Sequence, residues 1–310
     1  MTKNRAATSN PVTAEPVARC ESRYIWKGQA RHRCAWNDGH RGSHSTGNGS
    51  TRWSRDDLRI LILDIETFPN LVYTWGLYNQ DVGASQVVEP VRIACFAAKW
   101  LGESTTHFYK GIGTPGVSGA APGLASAARM LLHEADVVIH YNGTKFDIPH
   151  LNRVILRAGL LPPSPFKQID LLSVVRRRFK FPSNSLKYVT HELGLGAKTP
   201  HDGFDLWVRC MAGDKAAWKL MERYNKQDVR LTEDLYGYIL PWIPGHPARV
   251  AHKGPQDACP TCTRGVLVAY GSYRTPASTY RQWQCNACGA WFRSTNKTGG
   301  AGRVDIVGVV

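Results

Sequence analysis

No stretch of the chain approaches the roughly 20 consecutive apolar residues that a membrane-spanning helix needs. Nothing apolar follows the opening MTKNRAATSNPVTAEPVARC, which argues against a secretory leader. From these two absences we expect a soluble, cytoplasmic protein with no membrane partner. Acidic residues are scarce: 24 Asp and Glu stand against 39 Lys and Arg, a formal net charge of +15 over 310 residues. That imbalance favours a polyanionic partner, nucleic acid first. Six of the eight cysteines lie at the two ends of the chain, near histidines or in close pairs, which in a reducing compartment suggests metal more than disulfide. The other two, Cys95 in VRIACFAAKW and Cys210 in DLWVRCMAG, read as small core residues.

What is present is organised around LRILILDIET, Leu58 to Thr67. It reads as a buried strand ending in two carboxylates. Asp64 and Glu66 are two residues apart, so on a strand they face the same side. Buried like charges raise each other's pKa unless a cation neutralises them. Hard oxygen donors suit Mg²⁺ or Mn²⁺. A strand end emerging into solvent, with both acids hydrated, would give the same local pattern.

Around this strand the chain divides by composition. Residues 1–18 are polar and poor in large apolar types, as disordered segments are. Residues 19–46 are basic and rich in Trp, Cys and His. After a linker, residues 57–243 form an α/β region. The Pro-rich PWIPGHPARVAHKGPQD marks a second boundary, a Cys-rich module spans 256–295, and a Gly-rich tail, 296–310, cannot be placed. Within 57–243, β-rich segments come first (LVYTWGLYN, SQVVEPVRIACFAAKW and STTHFYKG). GLASAARMLLHEA then reads as a helix, DVVIHYN as a strand, IPHLNRVILRAG as a helix, KQIDLL as strand or loop, SLKYVTHELGL as helical and AAWKLMERYNKQDVRLTEDLYGYIL as a long helix. Strands first and helices later predict a mixed α/β sheet flanked by helices.

Two further acids extend the constellation. Asp147 in NGTKFD follows a strand end and opens a helix, where an acid also serves as a dipole-matching group. Tyr224 and Asp228 are four apart, hence on one helix face, where an exposed acid is also common. Taken together, D-x-E at a strand end, N-G-x-x-F-D after a strand and Y-x-x-x-D on a helix resemble the DEDD superfamily of 3′–5′ exonucleases, tyrosine-bearing subgroup. The likeness is to the exonuclease domain of family B DNA polymerases and related free-standing phage and bacterial enzymes, and runs from about Leu58 to Leu240.

The resemblance implies a ribonuclease H-like fold and two Mg²⁺ or Mn²⁺ ions. It implies Asp64 as bridging ligand, Glu66 and Asp228 beside it, Asp147 on the second ion through water, and Tyr224 positioning the attacking water. It implies a free-standing enzyme that removes nucleotides from 3′ ends of DNA, single strands foremost, in phage or bacterial replication, repair or recombination. Two ions roughly 4 Å apart activate water and stabilise the leaving oxygen in such hydrolysis. Asn142 and Phe146 match the second motif, the first as a contact to the substrate backbone, the second as a base wedge or a core aromatic. Lys187 and the run Arg176, Arg177, Arg178 are candidate phosphate contacts or solvated surface. Asp170 is read as structural, bracing a ligand or capping a helix.

Cys259-x-x-Cys262 and Cys285-x-x-Cys288 are two matched knuckles. Four thiolates make a tetrahedral zinc site, and the β-like intervening sequence reads as a zinc ribbon whose metal provides its stability. Trp283, Trp291, Arg281 and Arg293 either grip single-stranded nucleic acid or cover that site. Near the N-terminus Cys20, Cys34, His40 and His44 offer a second zinc set, or belong to a flexible basic arm.

Two other functions compete with DNA hydrolysis: the same site acting on RNA, and a non-catalytic zinc-containing nucleic-acid adaptor. A replication or recombination protein is a candidate partner.

Overall fold

The computed structural model describes residues 58–111, 122–197, 199–200, 203–249, 258–298 and 306–309, and the backbone of 23–26 and 29–33. The chain divides into two compact units, 1–56 and 57–310. In the first, β1 (Arg23–Trp26) pairs antiparallel with β2 (Gln29–Arg33). The proposed ligands Cys20, Cys34, His40 and His44 lie outside the described residues, as do residues 1–18.

The second unit is built on β3 (Ile60–Phe68), nine residues with apolar side chains on both faces. A strand patterned this way must be covered on both sides. Ile60 and Ile62 join one apolar cluster with Val229 and Leu235, whereas Leu61, Leu63 and Ile65 join another with Leu124, Leu132 and Leu151. The same alternation places Asp64 and Glu66 on the face of Ile60 and Ile62.

β3 pairs along its length, antiparallel, with β6 (Arg92–Trp100). With β8 (Val137–His140) it pairs in parallel only from Ile60 to Ile62. β7 (His107–Lys110) and β9 (Lys167–Asp170) complete a mixed sheet in the order β7-β6-β3-β8-β9. Between β3 and β6 the chain forms a separate small hairpin, β4 (Leu71–Val72) and β5 (Val87–Glu89).

Helices α1 (Pro122–Glu134) and α2 (Asp147–Arg157) cover one face, contributing Leu124 and Leu132, and Leu151 and Ile155, to its cluster. On the other face lie α3 (Leu171–Arg178), α4 (Leu186–Glu192) and α6 (Lys215–Ile239), preceded by α5 (Asp205–Met211). α6 has 25 residues, about 37 Å at 1.5 Å per residue. Its start is fixed by Asp214, whose carboxylate accepts from Ala216 N and Ala217 N at 2.7 and 3.2 Å. Met221, Tyr224, Asn225, Asp228, Thr232, Leu235 and Ile239 form its buried stripe at helical spacing. The expected mixed α/β sheet flanked by helices is therefore the architecture observed.

Past α6 the chain stays docked. Lys167 Nζ donates to the carbonyl of Gly245, and Leu58 N donates to Arg249 O. Then β10 (Leu267–Thr275), β11 (Ser278–Cys285), β12 (Trp291–Lys297) and β13 (Ile306–Gly308) form an antiparallel sheet. The end of the tail, which could not be placed from sequence, is the fourth strand: Phe292, Arg293 and Ser294 pair with Gly308, Val307 and Ile306. Cys95 and Cys210 are buried in the core, as expected. Among the described residues no helix is long and apolar enough to cross a membrane.

Candidate active site

Asp64 and Glu66 reach the end of β3 that extends beyond β8, and Asp228 faces them from the middle of α6. One carboxylate oxygen of each lies within 4.8 Å of the others. Asp228 is buried and the other two are half-buried. Three acids held this close are a hard-oxygen donor set fit for a divalent cation.

Asp147 is not one of the three. Because β8 stops pairing at Ile62, the amide of Ile65 has no ladder partner, and Asp147 Oδ1 accepts it at 2.9 Å. Burial is the main reason that its carboxyl is pushed up to about 7, against the pull of the Ile65 amide. This bond fixes the strand end that carries Glu66.

Tyr224 lies one helical turn before Asp228, buried, with its ring edge-on to Trp207 at 6.1 Å between centroids. Burial first, then the charges of Asp228, Glu66 and Asp64, hold its phenol far above its ordinary pKa. Its hydroxyl is hydrogen-bonded to Asp228. Cys95, opposite Glu66 on β6, is likewise held as a thiol by burial and by Glu66 and Asp64.

Asn225 went unnoticed in the sequence. Its side chain is fully buried, and Nδ2 donates to Asp64 O at 3.1 Å and to Asp64 Oδ2 at 2.7 Å. The signal was there: an amide between Tyr224 and Asp228 on a helix stripe that is otherwise mostly apolar.

Asp170 caps a helix, one of the two roles expected of it, and also holds a turn. Oδ1 caps α3 by accepting Leu172 N at 3.1 Å, and it also accepts Asn142 N at 2.9 Å. Fully buried His140 accepts Gly143 N on Nδ1 at 3.0 Å. A Cβ at Gly143 would sit 2.4 Å from the His140 ring, so this approach requires glycine. Together these contacts shape the turn that leads into Asp147, in which Asn142 takes a left-handed φ of 71°.

A cleft of about 530 Å³ opens beside Asp64, lined by Tyr141, Asn142, Arg176 and Asn184 among others. Asn142 and Arg176 thus border the acids. Arg177 and Lys187 are exposed on α3 and α4, Arg178 is half-buried, and none of these three lines the cleft. Phe146 is exposed, edge-on to His150 at 4.8 Å, and not in the core.

In the C-terminal sheet the sulfurs of Cys259, Cys262, Cys285 and Cys288 gather within 4.8 Å of one another. Cys259 and Cys288 are 4.0 Å apart, Cys262 and Cys285 3.7 Å. The knuckles turn back on themselves through Thr263 N to Cys259 O at 2.8 Å and Gly289 N to Cys285 O at 3.0 Å. This group, too, has the chemistry to hold a metal. Trp283 is buried, Arg281 is exposed, and Arg293 stacks over Tyr280 and Tyr273 at 4.6 and 5.4 Å.

A family model described as RNase_H superfamily matches residues 61–240, the span that holds the five-stranded mixed sheet. The chain belongs to the RNase_H superfamily. The matched span of this RNase_H domain contains Asp64, Glu66, Asp147, Tyr224 and Asp228, and ends before the cysteine knuckles. Among solved structures it is similar to the family B DNA polymerase of the hyperthermophilic archaeon Pyrobaculum calidifontis, at 18% identity and a TM-score of 0.44 over 59% of this chain. The RNase_H chain spans 25% of that polymerase's length. No curated protein matches it. The family suggests a nuclease that acts on nucleic acid, and the acidic cluster could hold the divalent metal such a fold normally uses.

Proposed function

We propose that the protein is a metal-dependent 3′–5′ exonuclease acting on single-stranded 3′ ends of DNA. The observation that carries this reading is the convergence of Asp64, Glu66 and Asp228 within 4.8 Å, with Tyr224 hydrogen-bonded to Asp228. Bound Mg²⁺ or Mn²⁺ would supply an acidified water and neutralise charge on the phosphate oxygens. Asp64, Glu66 and Asp228 would hold the ion, and Asp147 would act on a second through water. Asn225 fixes the carboxylate of Asp64 from behind. Tyr224, whose hydroxyl proton is directed to Asp228, would orient the attacking water by accepting a hydrogen bond from it. Arg176, across the cleft from Asp64, neutralises the phosphate that enters. The order of the motifs, D-x-E, then N-G-x-x-F-D, then Y-x-x-x-D, supports the exonuclease form of this chemistry.

The cysteine cluster fits zinc. Four sulfurs at 2.3 Å from a tetrahedral ion lie about 3.8 Å apart, beside the 3.7 and 4.0 Å found here.

The test is a digest of matched DNA and RNA oligomers, labelled and blocked at either end, with Mg²⁺ or Mn²⁺. We expect single nucleotides released from the free 3′ end of DNA, and none from Asp64→Ala, which should still bind. Equal release from wild type and Asp64→Ala would refute the enzyme. Faster release from RNA would move the substrate, not the site.

A further inference from the structure

The strand that carries Asp64 and Glu66 leads directly into the β4–β5 hairpin, and that hairpin turns its large side chains outward. Tyr73 is 75% exposed, Trp75 100%, Leu77 90% and Tyr78 84%. Single exposed apolar residues are ordinary, but four within six positions mark a surface that meets something. The loop is held in place. Tyr73 N donates to Gln86 O and Gln86 Nε2 donates to Tyr73 O, each at 2.9 Å, while Val91 N donates to Asn70 Oδ1 at 2.5 Å across its base.

Charge indicates what this surface takes. No lysine, arginine or histidine lies between Arg59 and Arg92, in a chain with 39 Lys and Arg. A wall that grips phosphate carries cations; this one offers neutral rings. On the other side of β3, Arg176 lines the cleft beside Asp64, with Arg177 exposed next to it on α3, whereas Arg92 and Lys110 on the β6 side lie over the rings of Phe68 and Trp218. The order β7-β6-β3-β8-β9 puts β6 on one side of β3 and β9, which leads into α3, on the other, and the hairpin joins the end of β3 to the start of β6.

A single strand laid across β3 would turn phosphates toward α3 and bases toward the hairpin. We propose that the β4–β5 hairpin is a base-stacking platform for the single-stranded nucleic acid that leads into the acidic site. The proposal rests on the nuclease reading above. Trp75 is nine residues from Glu66, so it lies within about 30 Å of it. It is not among the residues that line the cleft beside Asp64, so on this reading it meets unpaired nucleotides that lead toward the site. Stacking is sequence-tolerant and releases no counterions, so this share of the affinity is insensitive to salt.

The full-length, zinc-loaded protein is titrated with fluorescein-labelled dT12 without added divalent ion, at several salt concentrations. Trp75→Ala should weaken binding about tenfold, and Trp75→Ala with Tyr78→Ala further. The slope of log Kd against log salt should not change, and Trp75→Phe should retain most of the affinity. Hydrolysis of the p-nitrophenyl ester of thymidine 5′-phosphate with Mn²⁺, which needs only the acids, should be the same in every variant. If wild type leaves that ester intact, the nuclease reading fails while the titration still reads the platform. Unchanged dT12 affinity in the double variant overturns the proposal. So does a wild-type oligomer that the substitutions dissociate at constant dT12 affinity, because the hairpin would then be a protein interface.

Discussion

The amide of Asn225 holds Asp64 at two atoms, its backbone carbonyl and Oδ2, across 161 positions of sequence. A carboxylate fixed this way keeps one rotamer and presents its other oxygen for an ion. Partners of this kind, behind a metal ligand, are worth ten- to a hundredfold in metal affinity or activity. We therefore expect Asn225→Ala to raise the Mn²⁺ concentration for half-maximal hydrolysis by about that factor and to lose less at saturating metal. A variant with the wild-type metal dependence and only a lower Tm would reduce Asn225 to a packing residue. Asp64→Asn should behave differently: activity falls by a thousandfold or more, while removing one of three like charges leaves Tm unchanged or higher in metal-free buffer. Asp64, Glu66 and Asp228 were legible together, because the order of their motifs resembles that of the DEDD exonucleases, whereas the spacing of each alone also fitted a hydrated or exposed acid. Asn225 was harder to read: its place on the buried stripe was visible, but its partner Asp64 is fixed only once α6 packs on β3. Asp147 was legible as an acid at a helix start, but its bond to Ile65 depends on where β8 stops pairing.

At the scale of elements, β3, β8 and α6 could be read because each satisfies one rule completely: an apolar run for a buried strand, a 3.6-residue stripe for a helix. The stretch LVYTWGLYN satisfies strand propensity as well, yet only Leu71 and Val72 form a strand there. Such propensity reports fit to a half-buried pleated surface, and here no partner covers the side chains. The short α5 and the pairing of β13 are set by neighbours distant in sequence. The turn between β8 and α2 shows the same dependence. Asp170, at the end of β9, holds both that turn and the start of α3, accepting from Asn142, Leu172 and, at 3.4 Å, Thr144. Asp170→Ala should cost about 2 kcal/mol in urea melts, a cap plus a backbone partner. Hydrolysis should fall with it, because the loosened turn carries Asn142 and ends at Asp147. Asp170→Asn, which retains an acceptor, should recover part of both. Full activity in Asp170→Ala would show that the turn holds its shape without it.

Over the whole molecule, the cysteine sheet and the RNase_H domain share one apolar cluster, in which Leu267, Trp283 and Phe292 join Ile239, Leu240 and Ile243. Cys285→Ser should lower zinc content by one equivalent relative to wild type, read with a chromogenic chelator, and lower the Tm of the entire unit. The segment between them, Pro-rich and read from sequence only as a boundary, is strapped down by His246. Tyr236 Oη lies 2.9 Å from its Nε2 and Pro247 O lies 2.7 Å from its Nδ1. A neutral ring satisfies both by donating from Nδ1 and accepting on Nε2. Burial is the main cause that lowers its pKa from 6.5 to about 4, with Arg249 and Lys167 adding to it. A group whose folded pKa is depressed gives stability that is complete above its unfolded pKa. That stability is lost as pH falls toward the folded value, here from 6.5 to 4. The loss across this window is up to about 3 kcal/mol. Urea melts at pH 7.5, 5.5 and 4.5 should thus show wild type falling more steeply than His246→Gln, which has no proton to take up. Parallel decline of the two would place the acid sensitivity in other groups and leave His246 a neutral strut at every pH.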